Sequence, residues 1–223
     1  DLPVALGRLD VSAWSRTDIH NWIEDEADRP FDLAQGPVWR GHVLTGNPAA
    51  NYLVLVIHHI AVDFVAVQQL FRELAQVYGA LGRGEEPSLA PLPVDFSDYV
   101  RWEEAKLAAQ AEELAGYWGQ KLCAPLPVID LPTDRVRPPV QSYQGAIHEF
   151  EVDAALSAGL RSLAQRNGVT PYVLVLAAFQ LFLHRYSGQD DILIGTPMDV
   201  RGPAAFREVI GYYINSVVLR ADL

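Results

Sequence analysis

The side chains in this 223-residue chain whose types and spacing could do chemistry gather in one stretch, Ile57-His58-His59-Ile60-Ala61-Val62-Asp63-Phe64. An imidazole gains and loses a proton near neutral pH, and a carboxylate a few residues further on can orient it or fix its loop. Neighbouring residues of an extended chain point to opposite faces, so only one of His58 and His59 is expected to address a small pocket. Metal binding is not expected: a zinc or non-haem iron site needs a third close ligand, and His20, His42, His148 and His184 stand singly in unrelated stretches. The single cysteine, Cys123, can form neither an internal disulfide nor a cysteine-based metal site, and it suits a reducing compartment. Gly79, Gly82 and Gly84 end a helical pattern instead of following a strand, so they make no phosphate-binding loop. A Gly-x-Ser-x-Gly nucleophile elbow is also missing from the sequence.

The elements that must position His58, His59 and Asp63 can be read from periodicity. Ile19, Trp22, Ile23 and Ala27 recur at helical spacing over residues 17–27, and Pro30 closes that helix. Residues 38–45 and 51–57 read as strands joined across Gly46-Asn47-Pro48, a hairpin signal. Tyr52-Leu53-Val54-Leu55-Val56-Ile57 is apolar without alternation, which predicts a central strand covered on both faces. The histidines follow it directly, at the kind of strand end where open α/β sheets bind ligands. Val67, Leu70, Phe71, Leu74, Val77, Tyr78 and Leu81 predict an amphipathic helix, and a charged helical stretch covers residues 96–122. Pro125, Pro127, Pro132, Pro138 and Pro139 have linker composition. The division expected is therefore 1–123, a Pro-rich linker 124–140, and a second unit 141–223. In that unit a strand is predicted at 145–152, a helix at 153–166 capped by Asp153, an apolar helix at 171–186, and strands at 191–195 and 217–223. The fold class is α/β, a layered sheet with helices.

Seventeen basic against 28 acidic residues give a net charge of −11, a surface that repels phosphate backbones and argues against nucleic acid or anionic membrane as partners. The longest apolar runs fall short of the roughly 20 residues a membrane-spanning helix needs. The chain opens on Asp1-Leu2-Pro3 without a leader, so an excised piece of a longer, cytoplasmic protein is expected.

His58-His59-Ile60-Ala61-Val62-Asp63-Phe64 resembles the HHxxxDG signature of condensation domains of nonribosomal peptide synthetases, members of the chloramphenicol-acetyltransferase-like superfamily. Further blocks follow in the family's order: Pro30-Phe31-Asp32-Leu33 with Gly36-Pro37 and Arg40; Phe96-Ser97-Asp98-Tyr99 with Trp102; Leu131-Pro132-Thr133-Asp134-Arg135 with Arg137-Pro138; Gly195-Thr196-Pro197 with Arg201; and Ile210-Gly211-Tyr212-Tyr213-Ile214-Asn215 with Arg220. Phe64 stands where the family has Gly. The resemblance covers nearly the whole chain and implies most of an N-terminal subdomain, incomplete at its start, plus the beginning of a C-terminal one.

The resemblance also implies an activity: the amine of an aminoacyl thioester on one carrier protein attacks the acyl thioester on another. Its 4′-phosphopantetheine arms belong to the upstream and downstream carriers, an adenylation domain is the neighbour, and the chain itself binds no cofactor or metal. By that match His59 sits at the reacting centre, His58 holds the loop, and Asp63 either orients His59 or pairs with an arginine, Arg201 first and Arg137 second. Tyr99, Trp102, Tyr212, Tyr213 and Asn215 are expected to pack cores and subdomain contacts before they touch substrate. Within the superfamily an epimerising or ester-forming enzyme is an alternative, and outside it a catalytically silent module that docks carrier proteins.

Overall fold

The structure is a computed structural model that describes residues 6–143 and 145–223. It forms two compact units: one runs to Ala109 and takes in Met198–Asn215, the other comprises Gln110–Pro197 and Ser216–Leu223.

In the first unit β1 (Leu6–Asp10), α1 (Arg16–Asp28), β2 (Trp39–Thr45) and β3 (Tyr52–Ile57) follow one another. The strands form a sheet of order β1-β2-β3, β1 parallel and β3 antiparallel to β2. Among the described residues β3 is thus at a sheet edge, not at the centre as its unbroken apolar run predicted, and only its Val54 is buried. The central position goes to β2, whose Arg40 and His42 interrupt its apolar pattern. β1 was not anticipated: at 5 residues it carries too little alternation to read, and pairing with β2 creates it.

Ser15 and Asp18 start α1 with a reciprocal cap, Ser15 Oγ accepting from the Asp18 N–H (3.2 Å) and Asp18 accepting from the Ser15 N–H (2.8 Å). One apolar face of α1 then packs Ile19, with Trp22 and Ile23, onto Val11, Leu44 and Val54. The polar face is tied down as well. Glu26, though buried, accepts from Arg40 Nε at 2.7 Å, and His42 Nε2 lies 3.3 Å away. His42 also meets the Trp22 ring edge-on at 5.1 Å. Its β1 neighbour is Gly7, where a Cβ would lie 2.4 Å from His42 Nδ1. Only glycine lets that imidazole lie across the strand.

α2 (Phe64–Gly82) and α3 (Phe96–Ala109) complete the unit. A second core joins α3 to the returning segment: Tyr99, Phe206, Val209 and Tyr213 are buried together, flanked by Phe96 and Trp102. The Tyr99 and Tyr213 rings meet at 4.5 Å, an edge-on geometry that adds to simple area burial. Burial, and then the hydrogen bond that Tyr99 donates to Glu103 (2.7 Å), push the Tyr99 phenol well above its ordinary pKa.

The second unit holds α4 (Ala111–Lys121), α5 (Ala154–Arg166) and α6 (Pro171–Ser187). The single helix predicted over 96–122 is two, because Gln110 leaves helical geometry at φ −109 and ψ 9. Asp153 caps α5 by accepting from the Leu156 N–H (2.7 Å). Thr170 caps α6, Pro171 occupies its first turn, and Gly188 ends it with a left-handed φ of 69. Although α6 is largely apolar, only its Leu183 is buried. Residues 145–152, predicted as a strand, form neither helix nor strand, and Ile147 and Phe150 stand exposed. Alternating side chains make a strand only where a partner strand takes up the backbone hydrogen bonds, and none lies beside them among the described residues. β4 (Asp191–Asp199) and β5 (Ile214–Asp222) pair, four residues longer for β4 than its apolar run indicated. Arg220 clamps this pair, giving Nε and Nη2 to the two oxygens of Asp191 at 2.8 and 2.5 Å. No single helix among the described residues is long and apolar enough to cross a membrane.

Candidate functional site

β3 ends at Ile57, and the chain turns at once: the Ala61 N–H donates to the His58 carbonyl (3.0 Å), and the His58 N–H donates to the Val38 carbonyl (2.8 Å). His58 and His59 therefore do not alternate as in an extended strand. Both border one cavity of about 380 Å³, walled by Phe31, Leu33 and Val56. The strand stops before them, so the strand alternation that would put the two rings on opposite faces does not apply here.

The turn gives the two rings opposite roles. His58 Nδ1 accepts from the Ile60 N–H at 3.1 Å, which leaves the proton of the neutral ring on Nε2. His59 Nδ1 lies 2.7 Å from the Val62 carbonyl, and a carbonyl can only accept, so here Nδ1 carries the proton. The lone pair of neutral His59 is thereby on Nε2. Its ring stands edge-on to Tyr212 at 5.3 Å, while His58 stands edge-on to Phe31 at 5.9 Å. The Arg40 guanidinium lies over the Phe31 ring, 3.9 Å from its centre. Arg40 itself donates to the carbonyls of Glu26 (2.8 Å) and Arg29 (2.6 Å). The Pro30-Phe31-Asp32-Leu33 block is thus a wall of the cavity whose position Arg40 fixes.

Asp63 is not directed at either histidine. It caps α2, with Oδ1 accepting from the Ala66 N–H at 2.7 Å, while Oδ2 accepts from the Tyr213 N–H at 3.0 Å. Arg201 Nη2 spans both oxygens at 2.8 and 2.9 Å. The same guanidinium donates through Nη1 to the Val209 carbonyl (2.7 Å) and lies 3.9 Å above the Tyr213 ring. The backbone N–H of Asp63 donates to the Gly211 carbonyl (3.1 Å). Asp63 therefore joins the histidine turn to the segment 199–213 and to the start of α2 in one buried knot. Arg137, the other arginine considered for it, belongs to the second unit and lies in an exposed stretch without helix or strand.

Of the other residues singled out, Tyr99, Trp102 and Tyr213 are core, and Tyr212 lies against His59. In the second unit Thr196 is buried and hydrogen-bonds the Tyr172 hydroxyl. One participant had no sequence signal, the Val62 carbonyl, a backbone atom that sets the His59 tautomer; Gly211 stood within the 210–215 block, but without the role the structure gives it. A Cβ on Gly211 would lie 2.3 Å from the Phe96 ring, so glycine is what lets this backbone reach Asp63. Among the described residues no group of three His, Cys, Asp or Glu side chains is placed to hold a metal ion.

A family model described as "Condensation domain" matches residues 1–223. One of the linear gramicidin synthase proteins of Brevibacillus parabrevis is 42% identical over 201 residues, 90% of this chain and 4% of that protein. Among solved structures, the X-domain from teicoplanin biosynthesis superposes with a TM-score of 0.84 at 27% identity, covering 100% of this chain and 50% of that one. A four-domain nonribosomal peptide synthetase bound to AMP and glycine gives a TM-score of 0.84 at 26% identity, covering 100% of this chain and 17% of that one. The chain therefore spans a small fraction of the curated relatives and half or less of these structures. The α/β, chloramphenicol-acetyltransferase-like fold class is that of these structures.

Proposed function

Since the chain belongs to the condensation-domain family, we propose that it is part of a domain that forms an amide bond between an acyl or peptidyl thioester and an aminoacyl thioester, each presented by a carrier protein. The observation that carries this reading is the His59 tautomer. With Nδ1–H committed to the Val62 carbonyl, Nε2 of the exposed His59 is left as an acceptor. An amine attacking a thioester carbonyl must be held along the line of attack and must lose a proton, and one fixed acceptor serves both needs. The new C–N bond forms as the amine proton passes to His59 Nε2. When the tetrahedral species collapses, the C–S bond breaks and the carrier thiolate takes that proton back. A useful fraction of a free α-amino group is neutral near its ordinary pKa of ~8, so no covalent enzyme nucleophile is required.

His58 and Asp63 act on this centre at one remove. His58 ties the turn through the Ile60 N–H, and Asp63 with Arg201 fixes where the turn meets α2. The 4′-phosphopantetheine belongs to the partner carriers, with an adenylation domain adjacent, in a cytoplasmic assembly. The subdomains proposed are 1–123 and 141–223, joined by the Pro-rich 124–140; the two compact units divide the chain differently, with 110–123 in the second and Met198–Asn215 in the first.

The test is intact-mass detection of the condensed product on the acceptor carrier, made by the complete parent domain and by its His59→Ala variant. Loss of about 10²–10⁴ in rate with His59→Ala is expected for removal of a proton acceptor. An unchanged rate refutes the role of His59. Binding of both carriers by a folded parent domain without product refutes the enzymatic reading in favour of a docking module.

A further inference from the structure

Asp63 touches neither histidine side chain, yet two sets of its contacts lead back to His59 from different directions. The first runs along the chain. One peptide unit, Val62–Asp63, accepts the His59 Nδ1 proton on its carbonyl at 2.7 Å and donates its N–H to the Gly211 carbonyl at 3.1 Å. The second runs through Tyr212. The peptide unit before Tyr212 is held to Asp63 by the Gly211 carbonyl, and the unit after it by the Tyr213 N–H, which donates to Asp63 Oδ2 at 3.0 Å. With both flanking peptide planes held, φ and ψ of residue 212 are fixed, and so is the direction in which its side chain leaves the backbone. Tyr213 turns inward to the second core, whereas the exposed Tyr212 stands edge-on to the His59 ring, at 5.3 Å and 83°. His59, the Val62–Asp63 peptide, Gly211 and Tyr212 thereby close a circuit that begins and ends on the imidazole. At its base the Asp63 side chain is fully buried, so water does not compete for the bonds that hold it.

We propose that Tyr212 is the positioning residue of His59: its ring, not its hydroxyl, keeps the imidazole at the angle that aims Nε2 at the attacking amine, and through it the buried Asp63–Arg201 pair acts on the reaction. This role rests on the enzymatic reading of His59. A hydrogen bond at Nδ1 restrains one atom of the ring, and with Cβ it defines an axis about which the far atom, Nε2, still swings. His59 is exposed, so water competes for its Nδ1–H. A hydrogen bond of ordinary net strength holds its partner only about two- to tenfold over water. A ring contact from a second direction removes the remaining rotation, and edge-on contacts favour one mutual orientation beyond the area that they bury. Transfer of the amine proton needs that precision, because a misplacement of about 1 Å costs roughly 10²-fold in rate. Among the described residues the Tyr212 hydroxyl makes no hydrogen bond, so the ring alone closes the circuit.

The test compares the complete parent domain with its Tyr212→Phe, Tyr212→Leu and Tyr212→Ala variants in two readouts. One is the rate of product formation on the acceptor carrier at varied carrier concentration. The other is the nitrogen-15 NMR spectrum of histidine-labelled protein at about pH 8, where imidazoles of ordinary pKa are neutral and show which nitrogen holds the proton. The His59 signals are assigned by their loss in His59→Gln. Tyr212→Phe should match the parent in kcat and keep the Nδ1–H form of His59. Tyr212→Leu and Tyr212→Ala should lower kcat by about tenfold to a hundredfold, leave KM for the acceptor carrier unchanged, and admit the Nε2–H form. Leucine keeps much of the bulk, so it carries the test if the alanine variant does not fold. Loss of rate in Tyr212→Phe overturns the proposal in favour of the hydroxyl. A fall in kcat with an unchanged His59 spectrum also overturns it, since Tyr212 then acts on the substrate directly, and so does an unchanged kcat in the leucine and alanine variants. Absence of product from the parent domain itself is failure of the enzymatic reading, and the spectra then decide by themselves whether Tyr212 sets the imidazole.

Discussion

Removing Arg201 should unfold the knot around Asp63 at a cost that its geometry allows to be worked out. The Asp63 side chain is 0% exposed and that of Arg201 7%, so water cannot replace either partner. In Arg201→Ala the carboxylate keeps only the Ala66 and Tyr213 N–H groups, the Val209 carbonyl loses its donor, and the cation over the Tyr213 ring is gone. Breaking one side of such a buried pair costs about 3–5 kcal/mol, a large part of the 5–15 kcal/mol typical of a whole domain. Asp63→Asn should cost a similar amount by a different route. An amide that keeps its oxygen toward Ala66 turns its NH₂ toward the Tyr213 N–H, donor against donor, and strands the guanidinium. Asp63→Asn combined with Arg201→Met removes both charges and should cost less than the sum of the single changes, because the uncompensated charge is the main penalty. Urea unfolding followed by the fluorescence of the five tryptophans measures all three. With a slope of about 2.5 kcal/mol per molar, the single variants should move the midpoint down by roughly 1–2 M. A shift worth less than about 1 kcal/mol in either single variant, or strict additivity in the double one, would refute the reasoning.

Two further changes probe the packing and the charges around this frame. Gly211→Ala places a Cβ 2.3 Å from the Phe96 ring, which Tyr99 and Tyr213 hold from their sides, so it should destabilise by about 1–3 kcal/mol in thermal unfolding. Gly116→Ala, in α4 with nothing within 4 Å of the added methyl, should stabilise by about 0.5–1 kcal/mol; a loss there or none at Gly211 would contradict the two environments. The hydrogen bonds from Arg220 hold the Asp191 carboxyl below its ordinary pKa of 3.8. A depressed folded-state value gives stability that is present above the unfolded value and lost as pH falls through the folded one. Acid unfolding below about pH 4 should therefore be shallower in Asp191→Asn than in the parent chain, and identical acid limbs would count against the clamp.

The sequence was legible where structure is local. Ser15, Asp153 and Thr170 each cap a helix with their own neighbours within three residues, and Gly188 ends one, so α1, α5 and α6 lie within a residue or two of where periodicity puts them. It misled where an element depends on a partner. Residues 145–152 alternate like a strand and have none to pair with, β1 has too few residues to announce itself, and β3 looks central because its composition registers burial but not which neighbour supplies it. The break at Gln110 was hidden because its flanks, rich in Ala, Glu and Leu, favour helix on both sides.

The candidate site divides in the same way. By itself the sequence determined which side chains could do proton chemistry, that they follow a strand and precede a helix, and which family's blocks surround them. Only the tertiary structure decided that the pair sits in a turn beside one cavity, that the Val62 carbonyl leaves His59 Nε2 free, and that Arg40 steadies Phe31. It alone decided what Asp63 touches, since Arg201 is 138 residues away and Tyr213 150. Spacing along the chain sets which neighbours within a turn or two can meet, whereas a buried charge finds its partner only when separate segments close on it and exclude water.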